Sequence, residues 1–399
     1  MLLSFKIKNF RSFKEEQKIS FVLDKDEHID PERRFEVNTK NGKIRVLKNA
    51  IIYGANASGK TNVLLALRTL SQIIIHPTRS DNEGLFSDSF ASNRDNTRFE
   101  IEFLKEDIIF EYHLEYSRKE VVYESLYKDD TMIFERNYQE FVFPSLDKAV
   151  ENLLKTVRKT GLLLFFAQNY NVQDTQNAFS WFFDYFYASS KEIIDLLKTD
   201  RPLKERVLCT LQLADFNIVD IEIEEHQARL RDRDGFKLND ADGIALYVKE
   251  NEVYFIHENN GEKFRISLGN ESEGTKAFFE IVLLLLSRAH GSCLFRDEID
   301  SSLHKRLTTN LVKLLNNENN HIQLISTSHD SSLMDLLTLH QIYFVEKDVE
   351  GESEIFKLSD FVDIRSDVKY APKYEAGLFG ADQIINEEGF MYILGDSNE

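Results

Sequence analysis

The sequence predicts an α/β fold built on a mixed sheet with flanking helices, an antiparallel β region, and a mainly helical insertion. Three observations carry that expectation. An apolar strand leads directly into a glycine-rich loop and then a helix near the start of the chain. Several strand–helix units close the chain. About 200 residues of different character separate the two. A single α/β domain split by an insertion gives that order.

The bulk properties agree. With 399 residues, two or three structural units are expected. Hydrophobic residues make up 42% and charged residues 29%, so core material is ample. The five prolines and the lack of low-complexity stretches argue against long disordered linkers. Cys209 and Cys293 form neither a CxxC pair nor a disulfide framework, which points to a reducing compartment. The opening MLLSFKIKNF is too polar for a signal peptide. The apolar run Ile281 to Leu286 is far shorter than the ~20 residues needed to span a bilayer. A cytoplasmic protein without a membrane segment is therefore expected.

The net charge of −19 speaks against a whole-surface DNA binder. The charge is uneven, however. Residues 1–80 hold 15 Lys+Arg against 8 Asp+Glu, and residues 320–399 hold 5 against 16. Such a split can mark a basic and an acidic face, or chance clustering on solvated surfaces.

Four regions follow from the periodicities. Residues 1–80 contain two alternating strands around NFRSFKEE and then strand, loop and helix across GANASGKT. Residues 81–145 hold four alternating runs between 97 and 136 and read as antiparallel β. Residues 146–210 read as a helical insertion, with Trp181, Phe182, Phe183, Tyr185, Phe186 and Tyr187 as core or as partner contacts. Residues 211–399 return to strands, then a long helix after Gly274, a short strand at Cys293, a helix over 302–315, and strands at 322–326 and 341–346.

The chemistry lies in four motifs. Gly54-Ala55-Asn56-Ala57-Ser58-Gly59-Lys60-Thr61 fits GxxxxGK[ST], with the strand and helix in the places the mechanism needs. The glycines let backbone N–H groups wrap phosphates, and the helix N-terminus adds positive potential. Lys60 is expected on the β and γ phosphates and the Thr61 hydroxyl on Mg²⁺. In Cys293-Leu294-Phe295-Arg296-Asp297-Glu298, a buried strand delivers Asp297 to the magnesium and Glu298 to the attacking water. Two adjacent acids on a strand face opposite sides, so different roles are expected. Arg296 stands where an apolar residue is the norm, as either a salt-bridged edge residue or a regulatory contact. Glu271-Ser272-Glu273-Gly274-Thr275-Lys276 opens the long helix, with Ser272 as N-cap and Gly274 allowing close backbone approach. Ser326-Thr327-Ser328-His329-Asp330 ends a buried strand, and His329 there can reach a γ-phosphate or its attacking water. No guanine-reading NKxD is present, so ATP is preferred over GTP.

The four motifs in this order resemble the ABC-type ATPases, in the branch that includes RecF, the SMC proteins and the OLD-family ATPases. GANASGKT resembles their Walker A, LFRDE their Walker B, ESEGTK their signature and STSHD their H-loop; Ile299 to His304 occupies the D-loop position. Lys6 to Phe13 resembles the opening of that branch and implies Arg11 near the nucleotide. DEIDSSLH, QIYFVEKD and Tyr374 to Ala381 resemble the RloA and AbiL type of ATP-binding protein that accompanies phage-defence nucleases. Arg296 and Glu273 depart from the pattern, and Gln168 is only a candidate for the Q-loop.

The resemblance implies a paired site. ATP is sandwiched between the Walker A of one head and the signature of a second, so Ser272 and Gly274 serve the partner's nucleotide. It implies a homodimer or larger homo-oligomer that switches with ATP. Only about 70 residues follow His329, with no Glu…DxD set for two metals. The expectation is thus an ATPase subunit acting on a separately encoded effector. The alternative is a RecF-like DNA repair ATPase, with the basic N-terminal stretch on nucleic acid. A transporter ATPase and a non-catalytic scaffold fit less well, because the signature is unconventional and Glu298 and His329 are both present.

Overall fold

The structure is a computed structural model. It describes residues 1–399 except 79, 81, 185–189, 215, 230–246, 289–290, 362–363, 365–368 and 382–399. The chain opens with β1 (Leu2–Lys8) and β2 (Gln17–Ser20), a hairpin of β3 (Arg34–Thr39) and β4 (Gly42–Leu47), then β5 (Asn49–Tyr53) and α1 (Lys60–Ile75). Five strands follow: β6 (Thr97–Lys105), β7 (Ile108–Tyr116), β8 (Val121–Lys128), β9 (Thr131–Asn137) and β10 (Glu140–Val142). Next come α2 (Lys148–Leu154), α3 (Leu163–Asn169), α4 (Gln173–Phe182), α5 (Ser190–Thr199) and α6 (Arg201–Leu213). The last third holds β11 (Asp220–Arg229), β12 (Tyr247–Asn259), β13 (Glu262–Ser267), α7 (Glu273–Ser287), β14 (Cys293–Arg296), α8 (Lys305–Leu315), β15 (Gln323–Thr327), β16 (Ile342–Lys347), β17 (Ser353–Lys357) and α9 (Ala371–Glu375).

Two large sheets organise these elements. The first runs β14-β15-β5-β16-β17; its first four strands are parallel and β17 is antiparallel. The second runs β10-β9-β8-β7-β6-β1-β2 and is antiparallel throughout. The α/β class read from the sequence is the class observed. β1 and β2 join the second sheet, where β1 pairs with residues about a hundred positions later and β2 forms the edge beside it.

β5 is buried along its whole length. Ala50 and Ile52 face one core and Ile51 and Tyr53 the other, as expected of a parallel strand covered on both sides. On the first side, Val63, Leu67, Leu70 and Ile74 of α1 share a core with Phe5 and Phe99 of the antiparallel sheet. α4 closes this core from outside, with Trp181 stacked on Phe103 at 4.4 Å between centroids. Trp181 and Phe182 are fully buried core residues, while Phe183 is 38% exposed. Tyr185, Phe186 and Tyr187 lie outside the described residues.

A third core joins α5, α6 and α7 to the three-stranded sheet β11-β12-β13. Phe255 meets Phe279 edge-on, and Phe216 stacks on Phe278. Each such ring contributes roughly 1.5–3 kcal/mol on burial, which fixes α7 laterally. The N-terminus of α7 is set by Ser272, whose Oγ accepts a hydrogen bond from Thr275 N–H at 3.1 Å. α8 begins at Lys305 rather than at 302, because Ser302 takes a left-handed φ of +62° and His304 is the N-cap. None of the helices among the described residues is long and apolar enough to cross a membrane.

Candidate nucleotide site

The site forms where the parallel strands end. Gly54 leaves β5 at φ +149° and Gly59 enters α1 at φ +116°, both difficult for an L side chain. Space is equally restrictive. A Cβ on Gly54 would meet Val345 O at 2.2 Å, and one on Gly59 would meet the Oγ atoms of Ser12 and Ser353 at 2.7 Å. Ser353 Oγ also accompanies the loop by donating to the Ser58 carbonyl at 2.5 Å. Ser12 Oγ accepts from Asn62 Nδ2 at 2.8 Å. Ser353 thus holds the loop directly, and Ser12 holds the first turn of the helix that follows it.

Lys60 is buried and its ammonium donates to the carbonyls of Gly54 at 2.7 Å and Ala55 at 2.9 Å. Burial holds its pKa below the ordinary lysine value, while Asp297, Glu298 and Asp300 pull it back up. One residue on, the exposed Thr61 hydroxyl reaches Asp297 Oδ2 at 3.0 Å and Oδ1 at 3.2 Å. The phosphate loop and the acidic motif therefore meet, although β5 and β14 are not neighbours. β15 lies between them.

β15 supplies the link. Thr327 Oγ1 donates to Asp297 Oδ1 at 2.6 Å and accepts from Glu298 N–H at 2.7 Å. The Thr327 carbonyl accepts from Ile299 N–H at 2.9 Å. In return, one Asp300 carboxylate oxygen accepts from the N–H groups of His329 at 3.2 Å and Asp330 at 3.1 Å. The loops after β14 and β15 are thereby locked to each other. Glu298 Oε1 and His329 Nε2 face each other at 3.7 Å, both side chains open to solvent.

One expectation needs correcting. The two acids do not alternate on a strand, because β14 ends at Arg296. They sit in the loop beyond it, and their separation comes from the left-handed φ of +48° at Glu298. Arg296 lies on the edge strand of the sheet and its Nη1 donates to Glu280 Oε2 of α7 at 3.3 Å. Of the two readings offered for it, this is the salt-bridged edge residue.

The remaining candidates lie around this centre. Arg11, at φ +51°, pairs with Asp88 through Nε at 2.8 Å and extends Nη1 to Asn62 Oδ1 of α1 at 3.5 Å. Ala55, Asn56 and Ala57 form the solvent side of the loop, and Ser58 is buried beneath it. Ser272 is exposed at the start of α7, and Gly274 is half-buried. The close approach that Gly274 allows is to its own chain: a Cβ there would meet Ser302 O at 2.7 Å. Gln168 lies in α3, in the helical layer. Sequence reasoning singled out the STSHD run for its histidine and passed over Thr327. It gave no role to Ser12, which lies in the Lys6 to Phe13 run, and had no signal for Ser353, which belongs to no motif.

Thr61 and Asp297 present only hard oxygen atoms at the mouth of the loop, the donor chemistry that suits Mg²⁺. The loop and its helix suit a polyphosphate. A family model described as "AAA domain, putative AbiEii toxin, Type IV TA system" matches residues 50–335. No curated protein matches the chain. Among solved structures, the SMC head domain from Thermotoga maritima is similar at 16% identity and a TM-score of 0.41, covering 89% of this chain and 98% of that one. An SMC head bound to the C-winged helix domain of ScpA is similar at 14% identity and a TM-score of 0.39, covering 89% and 97%.

Proposed function

The chain belongs to this AAA-domain family, and from that premise we propose that it is an ABC-type head that binds and hydrolyses ATP with Mg²⁺. The observation that carries the reading is the meeting of Thr61, Asp297, Glu298 and His329 at the mouth of a preformed phosphate loop. Loop N–H groups and Lys60 hold the phosphates; Lys60 exchanges its two carbonyl partners for phosphate oxygens. Thr61 and Asp297 would hold Mg²⁺, which when bound neutralises charge on the β and γ phosphates. Glu298 takes a proton from water as that water's oxygen forms its bond to the γ-phosphorus and the β,γ-bridging bond breaks. His329 donates to the γ-phosphate or orients the water.

The site of one chain is half of the working site. Glu298 and His329 are open to solvent, and Ser272 stands exposed at the start of a 15-residue helix. A second head facing the first would cover the former with its own Ser272 and Gly274. ATP then acts as the reversible link of a homodimer or larger assembly. In the cell we place this switch in an anti-phage defence system, controlling a separately encoded effector, nuclease or toxin. The nucleic-acid alternative has less support. In the basic N-terminal stretch Lys6, Lys8, Arg11 and Lys14 each already pair with an acid, which leaves less positive charge for phosphates.

The test is the size of wild type and Glu298→Gln with and without ATP and Mg²⁺, alongside phosphate release. Glu298→Gln is expected to stop release and accumulate an ATP-dependent dimer. Release by a wild-type monomer, or an active Glu298→Gln, would sink the paired-head reading.

A further inference from the structure

We propose that Thr327 is a positioning residue for hydrolysis, fixing the metal-side carboxylate and the backbone of the catalytic glutamate through one hydroxyl. The inference rests on the hydrolysis reading above and gives a role to a residue of the STSHD run other than its histidine.

The geometry is specific. Thr327 is fully buried at the end of β15. Its hydroxyl has a single proton. The Glu298 N–H can only donate, so the hydroxyl oxygen accepts there and its one proton is left for Asp297. The hydroxyl donates to Asp297 Oδ1 at 2.6 Å, and its oxygen accepts from Glu298 N–H at 2.7 Å. The carbonyl of the same residue takes Ile299 N–H at 2.9 Å. Three bonds from one residue thus hold the segment 297–299, in the middle of which Glu298 adopts a left-handed φ. That conformation is costly for a residue with a side chain and persists only where neighbours impose it.

Thr327 also supplies the reference frame. It pairs across the ladder with Ile52 of β5, two residues ahead of Gly54. The acids hang from a strand they do not belong to, and that strand is registered directly on the phosphate loop. Asp297 needs this hold. Its other partner, Thr61, is exposed and would turn to the metal when nucleotide arrives. A residue that orients a metal ligand in this way typically carries ~10–100-fold in metal affinity or activity.

The experiment compares wild type, Thr327→Val and Thr327→Ser. Thr327→Val keeps the shape and removes the hydroxyl; Thr327→Ser restores it. Two quantities are read: turnover as a function of Mg²⁺, and calorimetric binding of a non-hydrolysable ATP analogue with and without Mg²⁺. Thr327→Val is expected to raise the Mg²⁺ requirement and lower turnover by about 10–100-fold. Its metal-free analogue binding should stay unchanged, and Thr327→Ser should return both quantities towards wild type. If Thr327→Val does not fold, Thr327→Cys, a weak donor of similar size, gives the same reading. Wild-type Mg²⁺ dependence and turnover in a folded Thr327→Val would overturn the proposal. So would equal loss of metal-free and metal-dependent binding, the mark of a merely structural residue. The two readings fail separately: inactive wild type, or active Glu298→Gln, removes the hydrolysis reading itself, whereas a normal Thr327→Val beside an inactive Glu298→Gln removes only this one.

Discussion

Glu124 in the antiparallel sheet and Asp297 beside the parallel one are both carboxylates held by hydrogen bonds, and their surroundings differ in every other respect. Glu124 is fully buried; it accepts from the N–H groups of Leu163 at 2.7 Å and Leu164 at 3.0 Å and from the Tyr112 hydroxyl at 3.0 Å. Burial pushes its carboxyl above the ordinary glutamate range, and Arg136 pulls it back. Arg136, equally buried, spends its guanidinium on carbonyls, among them Tyr138 O at 2.6 Å and Gly161 O at 2.7 Å. These charges are consumed in pinning α3 and its approach onto the sheet. Asp297 instead takes two hydroxyls, and its side chain remains open to solvent. Polar groups whose hydrogen bonds are all met inside the fold anchor it; groups left with capacity and access can do chemistry.

The contrast can be broken at either end. Arg136→Leu should have the largest effect, because it leaves the carbonyls of Tyr138 and Gly161 without their donor in the interior. A loss of ~1–3 kcal/mol for each stranded acceptor is expected in chemical denaturation. A variant within error of wild type would mean that Arg136 is not a structural anchor. Lys60→Ala comes next. Losing a charged hydrogen-bond donor should weaken ATP binding by ~1.5–3 kcal/mol while the melting temperature of the nucleotide-free protein holds. Calorimetry and thermal melts together decide whether the site is as separable from stability as the comparison says.

A smaller effect concerns pH. A raised folded-state pKa at Glu124 means stability that is present below the ordinary glutamate pKa and is lost as pH rises through the folded value. The stability advantage of wild type over Glu124→Gln should therefore be greatest near about pH 4 and shrink towards about pH 7. A gap that widens with pH would reverse the assignment. The smallest effect is expected at Arg296→Leu. Its bond to Glu280 is half open to solvent, with side chains 30% and 55% exposed, and should be worth ~0–1 kcal/mol. A large loss of turnover in that variant would show Arg296 to be more than an edge contact.

What could be read from the sequence follows the same divide between local and non-local causes. The phosphate loop is legible because strand, glycines, lysine and helix are consecutive, and every requirement is met within 27 residues of chain from Asn49 to Ile75. The alternating runs between 97 and 136 are legible because period two is a local property. Ser272 as a helix cap is legible for the same reason. The pairing of β1 with β6 is not, since antiparallel partners so far apart leave no periodic trace. Nor is the placing of β15 between β5 and β14, which alone turns Thr327 from a strand residue into the link between two motifs. The acids were expected on opposite faces of a strand because alternation was extended past Arg296. A left-handed residue there breaks the period, and no sequence pattern announces it. The charge surplus of residues 1–80 was visible as a count, but its partial offset by Glu100, Asp88 and Glu352 from beyond that stretch needed the fold.

On the function proposed above, the bond from Ser353 to the Ser58 carbonyl bears on the kinetics of loading. A loop that must order itself around its guest loses conformational freedom at the moment of capture, roughly 1–2 kcal/mol for each residue fixed. For the proposed nucleotide site that loss would fall in folding instead, because the Ser353 hydroxyl already holds the loop in the absence of a guest. Capture then resembles filling a mould rather than closing a fist. Its rate should track diffusion and charge, and loosening the mould should show first in how fast the guest escapes.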